Sequence, residues 1–218
     1  MTDFFRRNRT LVAFGMLAAM LASLSFAITG DELHEIFGAA FCALAAGHTA
    51  ANARFFKTCA RRPLSAERAA RAFLAFAVLA LLAAVAASGL FHSKFLLGFL
   101  GIDSPMRARQ IHAGAAYWLF MLSSAHLGFR EHSIAEKIAP NKAVLKILQA
   151  ALWAAAAYGI IAWKERDMFG KLFCGYTFDF VPEGESAAGF AAKMFSISVL
   201  ICKTARIALW AGRAIKKR

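Results

Sequence analysis

The sequence lacks closely spaced cysteines, internal repeats and low-complexity linkers. Its four cysteines, Cys42, Cys59, Cys174 and Cys202, form no Cys-x-x-Cys motif, so nothing supports an iron–sulfur or zinc site. Acidic residues are also scarce, with 13 Asp and Glu against 26 Lys and Arg. Only Glu35 falls inside a long apolar segment, near its edge.

What the chain has instead is apolar length. It is 60% apolar over 218 residues, with a mean hydropathy of +0.53, which is typical of a polytopic membrane protein. We predict an all-α transmembrane helix bundle that forms one integral membrane domain over residues 1–218. Six spans of the length needed to cross a bilayer are expected at 10–29, 33–53, 71–91, 111–129, 146–163 and 188–209.

Two of these segments have alternative interpretations. Lys193, Lys203 and Arg206 interrupt the sixth; they would snorkel from a tilted span, or the segment lies on the membrane surface and the spans number five. The first segment follows a basic tail, and residues 25–27 resemble a signal-peptide cleavage site. Because its apolar run is long for a signal peptide, we expect a retained first helix.

The net charge of +13 does not indicate nucleic-acid binding, because the cations alternate between loops as the positive-inside rule requires. Seventeen would face the cytoplasm, namely Arg6, Arg7, Arg9, Arg54, Lys57, Arg61, Arg62, Arg68, Arg71, Arg130, Lys137, Lys142, Lys146, Arg213, Lys216, Lys217 and Arg218. Six would face outward, namely Lys94, Arg107, Arg109, Lys164, Arg166 and Lys171. Both termini are therefore expected on the cytoplasmic side of a bacterial inner membrane, with the surplus charge attracting anionic lipid.

Two histidine pairs are the most informative pattern. His34 and His48 are fourteen residues apart in the second span, and His112 and His126 are fourteen apart in the fourth. Fourteen residues bring a helix back to nearly the same face, about 21 Å further along its axis. One span lies between the two helices, so they run in the same direction. His34 then faces His112 at the outer end, and His48 faces His126 at the inner end.

Each facing pair could bind the iron of a planar macrocycle from both sides, which is the ligand arrangement of a di-haem b-type cytochrome. We predict two haem b groups between helices two and four, within residues of about 10–130, with C-terminal helices over about 146–210. No Cys-x-x-Cys-His is present, so the haems would be held non-covalently. The alternative is that these histidines are structural, although ionisable residues inside spans usually have a functional reason to be there.

Haem propionates prefer cationic partners near the membrane surface. Arg130 follows His126 by four residues, Arg54 follows the end of helix two, and Arg109 precedes His112; arginine can hold a carboxylate bidentately. Asn52 is a candidate for orienting His48 or its neighbour. The alternative is that the arginines are solvated loop charges.

The remaining polar features lie at span ends. His92 and His132 are interpreted as interface residues, with a proton-handling or quinone-site role as the alternative. The longest outward loop, residues 164–188, is rich in aromatic and acidic residues. It is either an interfacial aromatic belt or a docking surface for an extracytoplasmic redox partner.

These motifs resemble the flavinylation-associated cytochromes, a family of small di-haem cytochrome b-like membrane proteins. The resemblance covers about residues 10–130 and is carried by Thr29-Gly30, Leu33-His34-Glu35 with Gly38, His48 with Asn52 and Phe55, Ile111-His112 with Gly114 and Tyr117, and Ala125-His126-Leu127-Gly128-Phe129. Many family members have a further histidine one turn after the last ligand, where this chain has Arg130. The resemblance implies electron transfer alongside flavinylated extracytoplasmic proteins.

The sequence therefore predicts transmembrane electron transfer through two bis-histidine haems, linking a quinone or other donor with an outward redox partner. The chain would act as an electron-transfer subunit, for example of a quinone-linked oxidoreductase. Two alternatives stay open: a transporter with a histidine proton relay, and a membrane anchor subunit of a redox complex.

Overall fold

The computed structural model describes residues 2–59, 65–101, 105–173 and 181–215, and the regular structure in these ranges is helical. The ten α-helices of the described ranges are α1 (Thr2–Arg7), α2 (Arg9–Leu24), α3 (Phe26–Ala51), α4 (Ala53–Cys59), α5 (Ala66–Leu90), α6 (Met106–Gly128), α7 (Glu131–Ile138), α8 (Lys142–Glu165), α9 (Met168–Leu172) and α10 (Ala187–Ile215). Each segment predicted to cross the membrane is helical, so the all-α class is confirmed.

Fewer helices than six meet the length and apolarity expected of a span. Three do so among the described residues: α5, α8 and α10 up to Ala214. A fourth results if α3 and α4, which are bent by 58° relative to each other, count as one broken span. Helix α2 has only 16 residues, about 24 Å, and α6 begins with Arg107 and Arg109. The structure thus supports a helical membrane protein without confirming six crossings.

Helices α2 and α3 form an antiparallel pair. Gly15 of α2 lies beside Leu44 of α3, and the chain reverses through Ser25 and Gly30. Gly30 has φ +79°, a left-handed conformation that glycine adopts without steric cost. The predicted boundary after Thr29-Gly30 is therefore a real break in the helix, although the helical hydrogen bonding resumes as early as Phe26.

Helix α10 is the most enclosed of the three unbroken candidate spans. In its apolar stretch of 18 residues 44% are buried, against 11% in α5 and in α8. It packs on α8 and α6 through small residues. Gly159 of α8 lies against the Ser196 carbonyl, and Ser124 of α6 shares a 2.8 Å hydrogen bond with Ser198. Small residues allow helix backbones to approach closely in membranes.

The expectation that the α10 cations snorkel is wrong for Lys203. Its side chain is 2% exposed and its Nζ lies 2.9 Å from Glu131 and 2.7 Å from the Gln149 side-chain oxygen. Arg206 lies 2.7 Å from the other oxygen of Glu131. Partial burial alone would raise the pKa of the Glu131 carboxyl. The hydrogen bonds from Lys203, Arg206 and Gln149 outweigh this effect, so the pKa lies below its ordinary value.

A second ionic cluster fixes the other end of α10. Lys193 donates to Glu165 and Glu185, each at 3.0 Å. Arg166, predicted to be an outward loop charge, is instead buried, 2.8 Å from Glu185 and over the ring of Phe190 at 4.4 Å. Pairing within the bundle therefore replaces snorkelling for Lys193 as well.

Candidate functional site: two histidine pairs

The structure brings His34 and His112 together at one end of the bundle. Their ring centroids are 5.8 Å apart with an interplanar angle of 67°, and both side chains are half-buried. Helix α3 packs mainly on α2, whereas α6 packs on α5 and α10. The two histidine helices therefore meet mainly through their side chains.

Backbone carbonyls fix the orientation of both rings. The Nδ1 of His34 lies 2.7 Å from the Ser23 carbonyl, and the Nδ1 of His112 lies 3.1 Å from the Val85 carbonyl. A carbonyl oxygen can only accept, so each Nδ1 carries a proton, and in the neutral ring each Nε2 then has a free lone pair. This is the tautomer and the type of supporting contact found in metal-binding histidines.

A glycine at the end of α5 makes room for His112. A Cβ on Gly89 would come within 3.2 Å of the His112 Cε1 and 3.5 Å of its Nδ1. Nearby, the Ser88 hydroxyl lies 3.3 Å from the same Nδ1. No sequence signal indicates these α5 contributions, because they depend on how α5 packs against α6.

A third imidazole lies beside the pair formed by His34 and His112. The ring of His92, interpreted from the sequence as an interface residue, is half-buried with its centroid 5.9 Å from that of His112. Glu35 fixes this turn by accepting hydrogen bonds from the Ser93 hydroxyl at 2.7 Å and from the backbone N–H groups of residues 94–96. Glu35 therefore connects α3 to the segment of the chain that carries His92.

His48 and His126 line one cavity of about 370 Å³ near the other end of the same helices. Ligand sites commonly have volumes of about 300–1,000 Å³. Most of its wall is apolar, formed by residues that include Met16, Leu17, Met20, Phe41, Val78, Leu79 and Leu82. The Nδ1 of His126 is buried and has no hydrogen-bond partner within the described part of the chain.

Three arginines line the same cavity: Arg9, Arg71 and Arg130. Arg130 is a predicted site residue, whereas Arg9 and Arg71 were placed by the sequence only among the loop charges. Arg71 is held by Glu67 at 2.7 Å. The cavity therefore combines apolar walls, two imidazoles and a cationic margin.

The other predicted site residues take different positions. Asn52 lines the cavity, but its amide donates to the His48 carbonyl at 2.7 Å and so supports the backbone of His48. Arg54 is not among the residues that line the cavity; it lies in a neighbouring pocket. Arg109 is half-buried in the first turns of α6, three residues before His112.

Within the described ranges, no group of three or more His, Cys, Asp or Glu side chains is arranged to hold a metal ion. An axial pair on a macrocycle needs only two protein ligands, so the histidine pairs are a different type of site.

The predicted docking loop is described only at its flanks. Phe169 and Phe173 are exposed, and Trp118 donates to the Leu172 carbonyl at 2.8 Å, which attaches α9 to α6. Tyr176, Phe178, Asp179 and Phe180, together with Cys174, lie outside the described residues. Arg61, Arg62, Lys216, Lys217 and Arg218 of the predicted cytoplasmic charges do so as well.

No protein-family model matches the chain, and no curated protein or solved structure is significantly similar to it. The resemblance to flavinylation-associated cytochromes therefore stays a prediction that depends on the motifs alone.

Proposed function

We propose that this chain is a membrane electron-transfer protein that binds two b-type haems, each between one histidine of α3 and one of α6. The observation that carries the proposal is the pairing itself: His34 lies against His112, and His48 shares a cavity with His126. Each pair joins residues that are 78 positions apart in the sequence.

The outer pair has the chemistry that an axial ligand requires. Because both Nδ1 atoms donate to carbonyls, each ring in its neutral form presents an unprotonated Nε2. Two metal–nitrogen bonds of about 2 Å each, with about 1 Å more from each nitrogen to its ring centroid, would place the centroids about 6 Å apart. The observed centroid separation is 5.8 Å.

The inner pair has the surroundings that an amphipathic macrocycle requires. The apolar walls would contact the ring system, and Arg9, Arg71 and Arg130 would pair with its two carboxylates. A haem with both axial positions filled by histidine transfers electrons and has no open position for oxygen.

For orientation, we propose six crossings by α2, α3, α5, α6, α8 and α10, with both termini on the cytoplasmic side of a bacterial inner membrane. The support is the distribution of seventeen cations against six. Electrons would pass between a quinone or other donor and an extracytoplasmic, flavinylated partner. A C-terminal alkaline phosphatase fusion should be inactive and a C-terminal green fluorescent fusion should glow; the opposite result would indicate an odd number of crossings.

The direct test is the haem content of the purified protein. A pyridine haemochrome assay should give about two haems per chain, as four axial histidines require. His34→Ala and His112→Ala should remove one spectral component, and His48→Ala and His126→Ala the other. Protein expressed with ample haem that binds none would refute the proposal, and loss of the same component by His34→Ala and His126→Ala would refute the pairing.

A second candidate function is proton translocation along histidines. It is favoured by three imidazoles that lie next to one another in space, in the order His34, His112 and His92. The centroids of adjacent rings are 5.8 and 5.9 Å apart. This function predicts a colourless protein that acidifies proteoliposomes, and His92→Ala should abolish the flux. A reduced-minus-oxidised spectrum with a haem α-band would decide against it.

A further inference from the structure

A second pocket, of about 280 Å³, lies beside the cavity of His48 and His126. It is lined by Arg6, Arg9, Ala51, Asn52, Arg54 and Phe55. Three of these six residues are arginines, contributed by α1, by the start of α2 and by α4. We call it the tri-arginine pocket.

The fold assembles this pocket from distant parts of the chain. Helix α1 packs on α3, and the ring of Phe5 lies against Gly47 so closely that a Cβ there would overlap with it. This contact positions Arg6 near the end of α3. The 58° bend between α3 and α4 then places Arg54 at the same point.

Little negative charge compensates these arginines. Arg9 and Arg54 have no acidic partner among the described residues, and the ion pair of Arg6 is with Asp3 at 3.6 Å. Asp3 is 94% exposed, so water screens this pair strongly. Three guanidinium groups around one concave site favour an anion, and guanidinium matches phosphate oxygens bidentately.

We propose that the tri-arginine pocket binds the phosphate of an anionic phospholipid headgroup. The pocket lies where the broken span α3–α4 bends, and α4 places Phe55 and Phe56 beside Arg54 and Lys57. Such a mixed short helix lies at a membrane interface, where basic pockets between helices bind acidic headgroups. Phe55 supplies the apolar contact for the lipid's glycerol and acyl region. The proposal does not depend on haem binding.

The test compares two double variants of the full chain in detergent. Arg6→Gln/Arg54→Gln removes two charges from the pocket and retains Arg9, which the haem cavity shares. Arg7→Gln/Lys57→Gln removes two exposed charges from the same two helices outside the pocket. Binding of phosphatidylglycerol and of phosphatidylcholine is measured by native mass spectrometry.

We expect the pocket variant to bind phosphatidylglycerol about 25-fold more weakly, since each of the two guanidinium groups would lose a hydrogen bond to the phosphate that contributes about fivefold in affinity. The control variant should keep its affinity, and phosphatidylcholine should bind weakly throughout. Equal losses in both double variants would overturn the proposal in favour of diffuse charge attraction. Displacement of the lipid by millimolar inorganic phosphate would overturn it in favour of a soluble anion.

A third variant tests the construction of the pocket without changing its charge. Phe5→Ala removes the contact with Gly47 and should weaken phosphatidylglycerol binding, while monodisperse elution and helical circular dichroism show that the bundle is intact. Unchanged lipid affinity in Phe5→Ala would contradict the role of α1. The visible spectrum, recorded in parallel, reports separately on haem.

Discussion

Arg130 offers the sharpest test of the proposed inner haem site. It lies four residues past His126 and lines the same cavity. A cation there disfavours the oxidised iron, which carries one more positive charge than the reduced iron. Arg130→Gln should therefore make reduction harder and lower the midpoint potential of the inner haem.

The size of the shift follows from Coulomb's law. A cavity of about 370 Å³ is about 8 Å across, so a charge at its margin and an iron bound inside it would be about 8 Å apart. Their interaction is about 0.5 kcal/mol at the dielectric constant of water and about 2 kcal/mol at an effective value near 20. For a one-electron couple this is about 20–90 mV. Because Arg130 is exposed, we expect the lower half of this range.

The assay is a spectroelectrochemical titration that follows both haems. The outer haem, about 21 Å further along the helix, should shift much less because salt screens charges at that distance. Arg68→Gln removes an exposed charge of α5 outside the cavity and is the matched control. An Arg130→Gln protein with both potentials unchanged would return this residue to the role of an ordinary cytoplasmic charge.

Glu67 provides a test of opposite sign. It lies 2.7 Å from Arg71, a cavity residue, and 2.6 Å from Arg213. Glu67→Gln would leave the positive charge of Arg71 uncompensated and should raise the midpoint potential of the inner haem. A fall in potential in this variant would contradict the electrostatic reasoning.

The remaining predictions concern packing and charge. Gly89→Ala should displace the His112 ring and remove the outer spectral component. The control is Gly38→Ala, where a Cβ meets nothing within 4 Å, and this variant should bind both haems. An unaltered spectrum in Gly89→Ala would show that the His112 ring has room to move. Lys203→Met removes one of three partners of Glu131, which keeps Arg206 and Gln149, and should destabilise the protein by about 2 kcal/mol, measured by thermal unfolding in detergent. A loss below about 0.5 kcal/mol would contradict a stabilising role of this pair. The stabilisation from Glu131 should be complete above its ordinary pKa of 4.5 and disappear as the pH falls through the lowered folded-state pKa, and a transition temperature that stays constant on acidification would argue against it.

The length of the hydrophobic segments and the spacing of the histidines are local signals. They predicted the helices and the two histidine pairs. The sixth segment shows where such signals fail. Its cations lower the apparent hydropathy, yet Lys203 is buried because Glu131, 72 residues away, reaches it. Nothing in either local sequence indicates this pairing.

The same limit applies to the histidine sites. The spacing predicted that His34 would meet His112, and the structure brings their rings together; their role as haem ligands stays a prediction. The carbonyl of Val85 that orients His112 is invisible in the sequence, because every residue has a carbonyl. Arg9 is a cavity residue only because α2 folds back along α3.

The two ends of the bundle are physically unlike, and this has a consequence for electron flow. At the outer end, carbonyl acceptors on both Nδ1–H groups would let each imidazole donate more electron density to a bound iron, which would stabilise its oxidised state. At the inner end, the Nδ1 of His126 lacks a partner within the described residues, and Arg9 and Arg130 line the cavity; together these features would stabilise the reduced state of a bound iron. The inner haem should therefore have the higher potential of the two. Electron transfer from an outward donor to the cytoplasmic side would then be downhill, and transfer in the opposite direction would need a donor strong enough to reduce the outer haem.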